Sequence, residues 1–176
     1  MSMRFAIADP PYLGQGKLYR DHPDAADCDE LSWHVDLVAR LHIDYPDGWA
    51  LCCSSPSLRD ILPLCGEGAR VGAWVKPFCA FKPNVNPAFA WEPVIWRGGR
   101  KRERLEDTVR DWLAEGITLR RGLTGAKPHA FGRWLMDLLN VQPGDQVDDL
   151  FPGTGAISAA IAERLRAPPP PLELFG

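Results

Sequence analysis

The sequence predicts an α/β sheet, on three observations. Strand-like and helix-like patterns alternate along the chain. Asp9-Pro10-Pro11-Tyr12 follows directly on a short apolar strand. A glycine-rich turn, Asp149-Leu150-Phe151-Pro152-Gly153-Thr154-Gly155, follows directly on another strand and opens a helix.

The elements follow in order. Residues 3–8 form the first strand, and residues 9–30 an irregular loop with Gly14 and Gly16. Leu31, Val35, Val38 and Leu41 repeat at helical spacing, with Ser32 as N-cap. Residues 49–54 form a second strand and 56–64 a short helix. Residues 69–76 and 93–96 form the third and fourth strands. A Gly-Arg-Lys turn at 97–104 leads to a helix over 105–115, with Leu105, Val109, Trp112 and Leu113 on one face. A short strand is expected at 117–121 and a helix at 128–139, broken by Pro143-Gly144. The strand 146–151, the glycine turn and a helix at 156–165 complete the domain, residues 1–166. Pro168 to Pro171 then stop any helix and begin a proline-rich tail, residues 167–176.

Composition narrows the function. A chain of 176 residues with 45% apolar content fits one domain with its own core. No apolar run is long enough to span a bilayer, and no secretory signal pattern opens the chain, so the expected location is the cytoplasm. The five cysteines form no C-x-x-C pair and the four histidines are scattered, so no metal site is expected. Net charge is −3, which argues against a protein that coats nucleic acid. Charge is nevertheless clustered. Residues 21–30 are acidic, while Arg97, Arg100, Lys101, Arg102 and Arg104 are basic and can hold a phosphate backbone.

The two motifs carry the chemistry. Gly153 and Gly155 let backbone approach a ligand closely at a helix start, although tight strand-to-helix turns also use glycine for geometry alone. In the first motif, Asp9 can accept one N–H of an exocyclic amine and the Pro10 carbonyl the other. Two acceptors off the ring plane favour a tetrahedral nitrogen with a usable lone pair. Tyr12 can stack on an extruded base, and the prolines keep the loop rigid. A plain Asp-Pro-Pro turn is the alternative.

Together these motifs resemble the S-adenosylmethionine-dependent amino-methyltransferases that modify adenine N6 or cytosine N4 in DNA. Val75-Lys76-Pro77, Trp91-Glu92-Pro93-Val94-Ile95 and Thr124-Gly125-Ala126-Lys127-Pro128 resemble further family segments. The resemblance covers most of residues 3–165. It implies a Rossmann-like methyltransferase sheet, circularly permuted because the Asp-Pro-Pro-Tyr motif comes first. It implies a catalytic role for Asp9, Pro10, Pro11 and Tyr12. S-adenosylmethionine would be bound by Asp149, Phe151, Gly153, Thr154 and Gly155, with Lys127 near the cofactor carboxylate and Thr124 supporting that loop. Asp149 as a simple turn cap and Lys127 as a solvated surface residue are the alternatives. The aspartate-led motif leans toward adenine N6.

The chain departs from the family in two places. An acid that binds ribose hydroxyls is expected ~20 residues after the glycine turn. Only Glu173 stands near there, behind four prolines, so the sheet is expected to be truncated at the cofactor-side flank or completed by a homodimer or partner subunit. No large recognition domain is present. Residues 97–125 would contact duplex DNA carrying a flipped base, through Arg100, Lys101, Arg102, Arg104, Arg120 and Arg121, unless they form a solvated loop. The tail Pro171-Leu172-Glu173-Leu174-Phe175 resembles peptides that bind the bacterial sliding clamp.

Overall fold

The computed structural model describes residues 1–19, 27–78, 83–117 and 126–166. Thr124, Arg120, Arg121, Glu173 and the whole tail lie outside the described residues. Six strands form one sheet: β1 (Arg4–Ala8), β2 (Gly48–Cys52), β3 (Arg70–Val75), β4 (Trp91–Gly98), β5 (Trp112–Ala114) and β6 (Gln146–Asp149). Their order is β5-β3-β4-β2-β1-β6. β1 is parallel to both β2 and β6, while β4 runs antiparallel between β2 and β3. Among the described residues, β6 is therefore an edge strand.

Four helices cover the two faces: α1 (Leu31–Asp44), α2 (Leu58–Ile61), α3 (His129–Leu139) and α4 (Ala156–Arg166). The period-two alternation of the strands divides the core. Phe5, Ile7, Ala50 and Trp74 point to one face and pack with Phe131, Leu135 and Ile157 from α3 and α4. Ala6, Ala8, Trp49 and Leu51 point to the other and pack with Leu37, Val38 and Leu41 of α1. Each fully buried Ile or Phe stabilises by about 1.5–3 kcal/mol. The α3–α4 pair packs closely because Gly132 carries no side chain. A Cβ there would sit 2.6 Å from the Ala160 Cβ.

Four expectations are corrected. Residues 105–115 are not helical. Residues 104–106 turn, and Trp112–Ala114 forms β5, parallel to β3. The open edge of β3 offers backbone partners, and Trp134 Nε1 donates to the Arg110 carbonyl at 2.9 Å, holding the segment extended. Glu106 meanwhile accepts from the Glu103 backbone N–H at 2.9 Å and from Asn140 at 3.1 Å. Ile117 lies outside any strand, and 118–121 lie outside the described residues. The N-cap of α1 is Glu30, with no side-chain cap bond, rather than Ser32. The buried stripe of α1 is His34, Leu37, Val38 and Leu41, whereas Leu31 and Val35 are exposed. The expected 56–64 helix stops at Ile61 and tightens into a 3-10 turn over Leu62–Cys65 around Pro63, which has no N–H to donate.

Candidate active site

The topology joins the two motifs. β1 and β6 are neighbours in parallel register, with Ile7 opposite Asp149. The Leu150 N–H donates to the Ile7 carbonyl at 2.9 Å. Asp9 and the glycine turn thus leave the same edge of the sheet, side by side. The carboxyl ends of parallel strands are where open α/β sheets bind ligands.

Behind Asp9 lies a buried ion cluster. Asp9 Oδ1 accepts from Lys127 Nζ at 3.0 Å and from the Tyr12 hydroxyl, 3.2 Å away. The Tyr12 hydroxyl also lies 2.8 Å from Glu92 Oε2 and accepts from Lys127 Nζ at 2.9 Å. Having one proton, it donates to one carboxylate at a time. Glu92 Oε1 pairs with Lys76, and Glu92 Oε2 lies 3.4 Å from Lys127. Two carboxylates thus face two ammonium groups, so the cluster is neutral with both pairs ionised. Burial alone would lower the Lys127 pKa, but Asp9 and Glu92 outweigh it and raise it. Burial likewise acts to raise Glu92, yet Lys127 and Lys76 hold it below the ordinary carboxylate value. Burial, then Asp9 and Glu92, push the Tyr12 phenol well up, so it stays a neutral hydroxyl. Cys52 borders the cluster. Burial and then Asp9 raise its thiol well above the ordinary value, which leaves it unreactive. Asp9 Oδ2 has no hydrogen-bond partner among the described residues.

Two expectations about this cluster change. Lys127 is 6% exposed, so it is not a solvated surface residue. Nor is Tyr12 an open stacking wall. It is 6% exposed, and Lys127 Nζ sits 5.2 Å from the centre of its ring. Pro10 and Pro11 are buried and fix the loop. Glu92 and Lys76, quoted above only as members of sequence segments, prove to be integral to the cluster. Their only sequence signal was a charge at either end of a β-hairpin.

The second half is the glycine turn. Asp149 Oδ2 accepts from Ser158 Oγ at 2.5 Å, but Asp149 Oδ1 is buried without a partner. Burial raises the Asp149 pKa, against hydrogen bonding from the Ser158 side chain and from the Phe151 and Ser158 backbone, and the like charge of Asp9 adds to the rise. Phe151 is half-buried and packs against Trp33, ring centres 6.0 Å apart. Gly153 and Gly155 have φ of +47° and +78°, and open space surrounds the position a Cβ would take at Gly155. Thr154 is exposed at the turn. A buried orphan acceptor beside an open backbone turn fits a ligand that brings a hydrogen-bond donor, such as the amino group of an amino-acid moiety.

The basic segment lies elsewhere. Gly98 pairs with Gly48, so the chain leaves β4 at the opposite edge of the sheet. Five strand residues at ~3.3 Å each put that edge roughly 15 Å from Asp9. Arg100 donates to Asp145 Oδ1 at 2.5 Å, and Arg102 donates to the Asp137 and Asp107 carbonyls. Both tie this segment to the rest of the chain through these bonds. Lys101 and Arg104 are exposed in the same segment.

Among the described residues no group of His, Cys, Asp and Glu could hold a metal ion, and no helix is long and apolar enough to cross a membrane. No protein-family model matches the sequence, and no curated protein matches it. Solved structures do. The chain is similar to M1.HpyAVI solved as a SAM complex, with a TM-score of 0.58 and 19% identity over 94% of this chain and 79% of that one. A second crystal structure of M1.HpyAVI gives 0.57 and 19%, over 94% of this chain and 78% of that one. TTHA0409 from Thermus thermophilus, assigned as a DNA modification methylase, gives 0.53 and 16%, over 92% and 76%. The chain shares the fold of these proteins.

Proposed function

We propose that the chain transfers a methyl group from S-adenosylmethionine to an exocyclic amine of a DNA base, with adenine N6 favoured. The observation that carries this reading is two acceptors side by side: Asp9 Oδ2 after β1, without a bond among the described residues, and Asp149 Oδ1 at the end of β6, buried without a partner. The fold shared with M1.HpyAVI and a DNA modification methylase supports it. Asp149, Phe151, Gly153, Thr154 and Gly155 would hold the cofactor, Asp149 Oδ1 taking a donor that the protein itself does not supply. Bound there, S-adenosylmethionine would supply the methyl group from a sulfonium whose sulfur leaves as a neutral thioether.

The chain's own residues do the rest. Asp9 Oδ2 accepts an N–H of the target amine and draws lone-pair density onto nitrogen. Lys127 and Tyr12 hold Oδ1, so the carboxylate keeps its orientation. When nitrogen gains its new bond to carbon it sheds one proton, which Asp9 Oδ2 receives and passes to solvent. The circular order of the motifs is part of the same proposal.

The test is incubation with labelled S-adenosylmethionine and DNA, followed by nucleoside analysis. A methylated amino base is expected. Binding of the cofactor with no label in any base would end the proposal. One observation favours a second reading, a short single strand or a free nucleotide as substrate. Lys76 and Lys127 are committed to Glu92 and Asp9, and Arg100 and Arg102 lie at the other edge. Salt separates the two, since duplex engagement through phosphates weakens steeply as salt rises.

A further inference from the structure

We infer that Glu92 is a positioning residue for methyl transfer, clamped by Lys76 from one side and acting on Asp9 through the Tyr12 hydroxyl and Lys127. This inference rests on the reading of Asp9 as the group that holds the amine. Glu92 cannot touch that amine directly, because both its oxygens are committed within the chain, Oε1 to Lys76 and Oε2 to Tyr12 and Lys127.

The geometry gives Glu92 its function. Asp9 has two oxygens and needs one for the amine. Tyr12 and Lys127 both converge on Oδ1 and leave Oδ2 open. Neither would stay there by itself. Lys127 carries three N–H donors on a flexible stem, and the Tyr12 hydroxyl can rotate. Glu92 Oε2 offers both a second anchor, fixing the ammonium and the phenol between two carboxylates. Glu92 is fixed in turn by Lys76, whose ammonium also lies 4.9 Å from the Trp74 ring centre. Lys76 directly follows β3 and Glu92 lies on its partner β4, with Trp74 directly opposite Glu92 in the register. The hairpin of β3 and β4 thereby reports to the loop after β1, and its position fixes which oxygen of Asp9 faces the substrate.

Charge also demands Glu92. Without it, Asp9 alone would face two buried cations. Lys127 would then be drawn fully onto Asp9, competing for the oxygen the amine requires. Loss of Glu92 should therefore slow turnover far more than it weakens cofactor binding, since the bonds of Glu92 go to Lys76, Tyr12 and Lys127, while the glycine turn follows β6.

The experiment compares wild type with Glu92→Gln, Glu92→Asp, Lys76→Met, Tyr12→Phe and the double variant Glu92→Gln/Tyr12→Phe. Turnover, cofactor affinity by calorimetry and melting temperature are measured for each. We expect Glu92→Gln to lower kcat at least tenfold with the cofactor Kd within twofold, and Glu92→Asp to recover part of the loss. Lys76→Met, which removes only the outer clamp and leaves Asp9, Tyr12 and Lys127 in place, should show a smaller fall in the same direction. The double variant should lose less than the product of the two single losses, because Glu92 and Tyr12 act in part through one hydroxyl. A second readout needs no turnover: the ¹³Cζ signal of Tyr12 in labelled protein should move in Glu92→Gln. A folded Glu92→Gln variant with kcat within twofold of wild type, or an unmoved Tyr12 signal, overturns the inference. If wild type itself transfers no methyl group, the proposed activity fails, and the Tyr12 signal alone decides whether Glu92 holds that hydroxyl.

Discussion

The two edges of the sheet each carry a network of buried charge, and they differ in what is left unsatisfied. At the edge where β1 begins, both oxygens of Asp145 are engaged, and the buried atom without a partner there is a donor, Arg100 Nε. Asp145 accepts from the Met3 N–H at 2.9 Å, the Gln142 N–H at 2.8 Å and Arg100 at 2.5 Å. Its side chain is 1% exposed, and it ties the N-terminus to the turn before β6. At the edge where β1 ends, Asp9 keeps one oxygen open and Asp149 keeps one buried oxygen without a partner. A saturated carboxylate holds the chain to itself. An unsatisfied one costs stability, and it persists where something else is meant to bind. The contrast therefore lies in the carboxylates: those of one edge are used up within the chain, and those of the other each keep an oxygen.

Substitutions can break this contrast. The largest effect is expected at Asp9→Asn, which keeps the shape but loses the charge. Turnover should fall by about 10²–10⁴-fold while calorimetry finds cofactor affinity nearly unchanged. Lys127→Met leaves Asp9 as an uncompensated, largely buried anion and Glu92 with Lys76 alone. Urea unfolding should show a loss of about 3–5 kcal/mol. Arg100→Leu strips Asp145 of its cation at the other edge. Stability should fall by about 1–3 kcal/mol, yet turnover at a temperature where the variant is folded should stay within twofold.

Acid sharpens the comparison through its sign. Asp145 and Glu92 both face burial that would raise their pKa, but hydrogen bonds and cations hold them below their ordinary values of 3.8 and 4.5. Their contribution is therefore complete above those values and is lost as pH falls below them. Asp149 has the opposite sign. Its pKa is raised, so its ionised form opposes folding at neutral pH, and that penalty disappears as acid protonates it. Asp149→Asn should accordingly stabilise the free protein at pH 7, by up to about 1 kcal/mol, and abolish the difference between pH 7 and pH 5 that Asp149 causes. The same variant should lose cofactor affinity, an exchange of stability for function. The smallest effect belongs to Lys101→Glu with Arg104→Glu. These exposed residues lie roughly 15 Å from Asp9, and methyl transfer to a short oligonucleotide should change by less than twofold.

Much of this arrangement was legible in the sequence, and the illegible part has a common cause. The strand at 3–8, the glycine turn and the helix after it were readable because their patterns are local: an apolar run, a G-x-G, a helical period. Placing Asp9 beside Asp149 followed from motif resemblance, and the β1–β6 register bears that adjacency out. Residues 105–115 misled because Leu105, Val109, Trp112 and Leu113 have helical spacing, while the free edge of β3 and the Trp134 hydrogen bond favour an extended chain. Arg100 and Arg102 read as a phosphate-binding patch because sequence shows charge and not partners. Asp145 and the Asp137 carbonyl stand 45 and 35 residues away. Glu92 and Lys76 stayed hidden for the same reason, since Lys127 and Tyr12 meet them only once β1, β3 and β4 are assembled.

The central claim is that the edge with open acceptors is where methyl transfer occurs. Its most direct test is nucleoside mass spectrometry of DNA incubated with S-adenosylmethionine and each of three proteins: wild type, Asp9→Asn and Arg100→Leu. The account predicts a methylated amino base from wild type and Arg100→Leu, and none from Asp9→Asn. A methylated base from Asp9→Asn at the wild-type level, or its loss from folded Arg100→Leu alone, would contradict it.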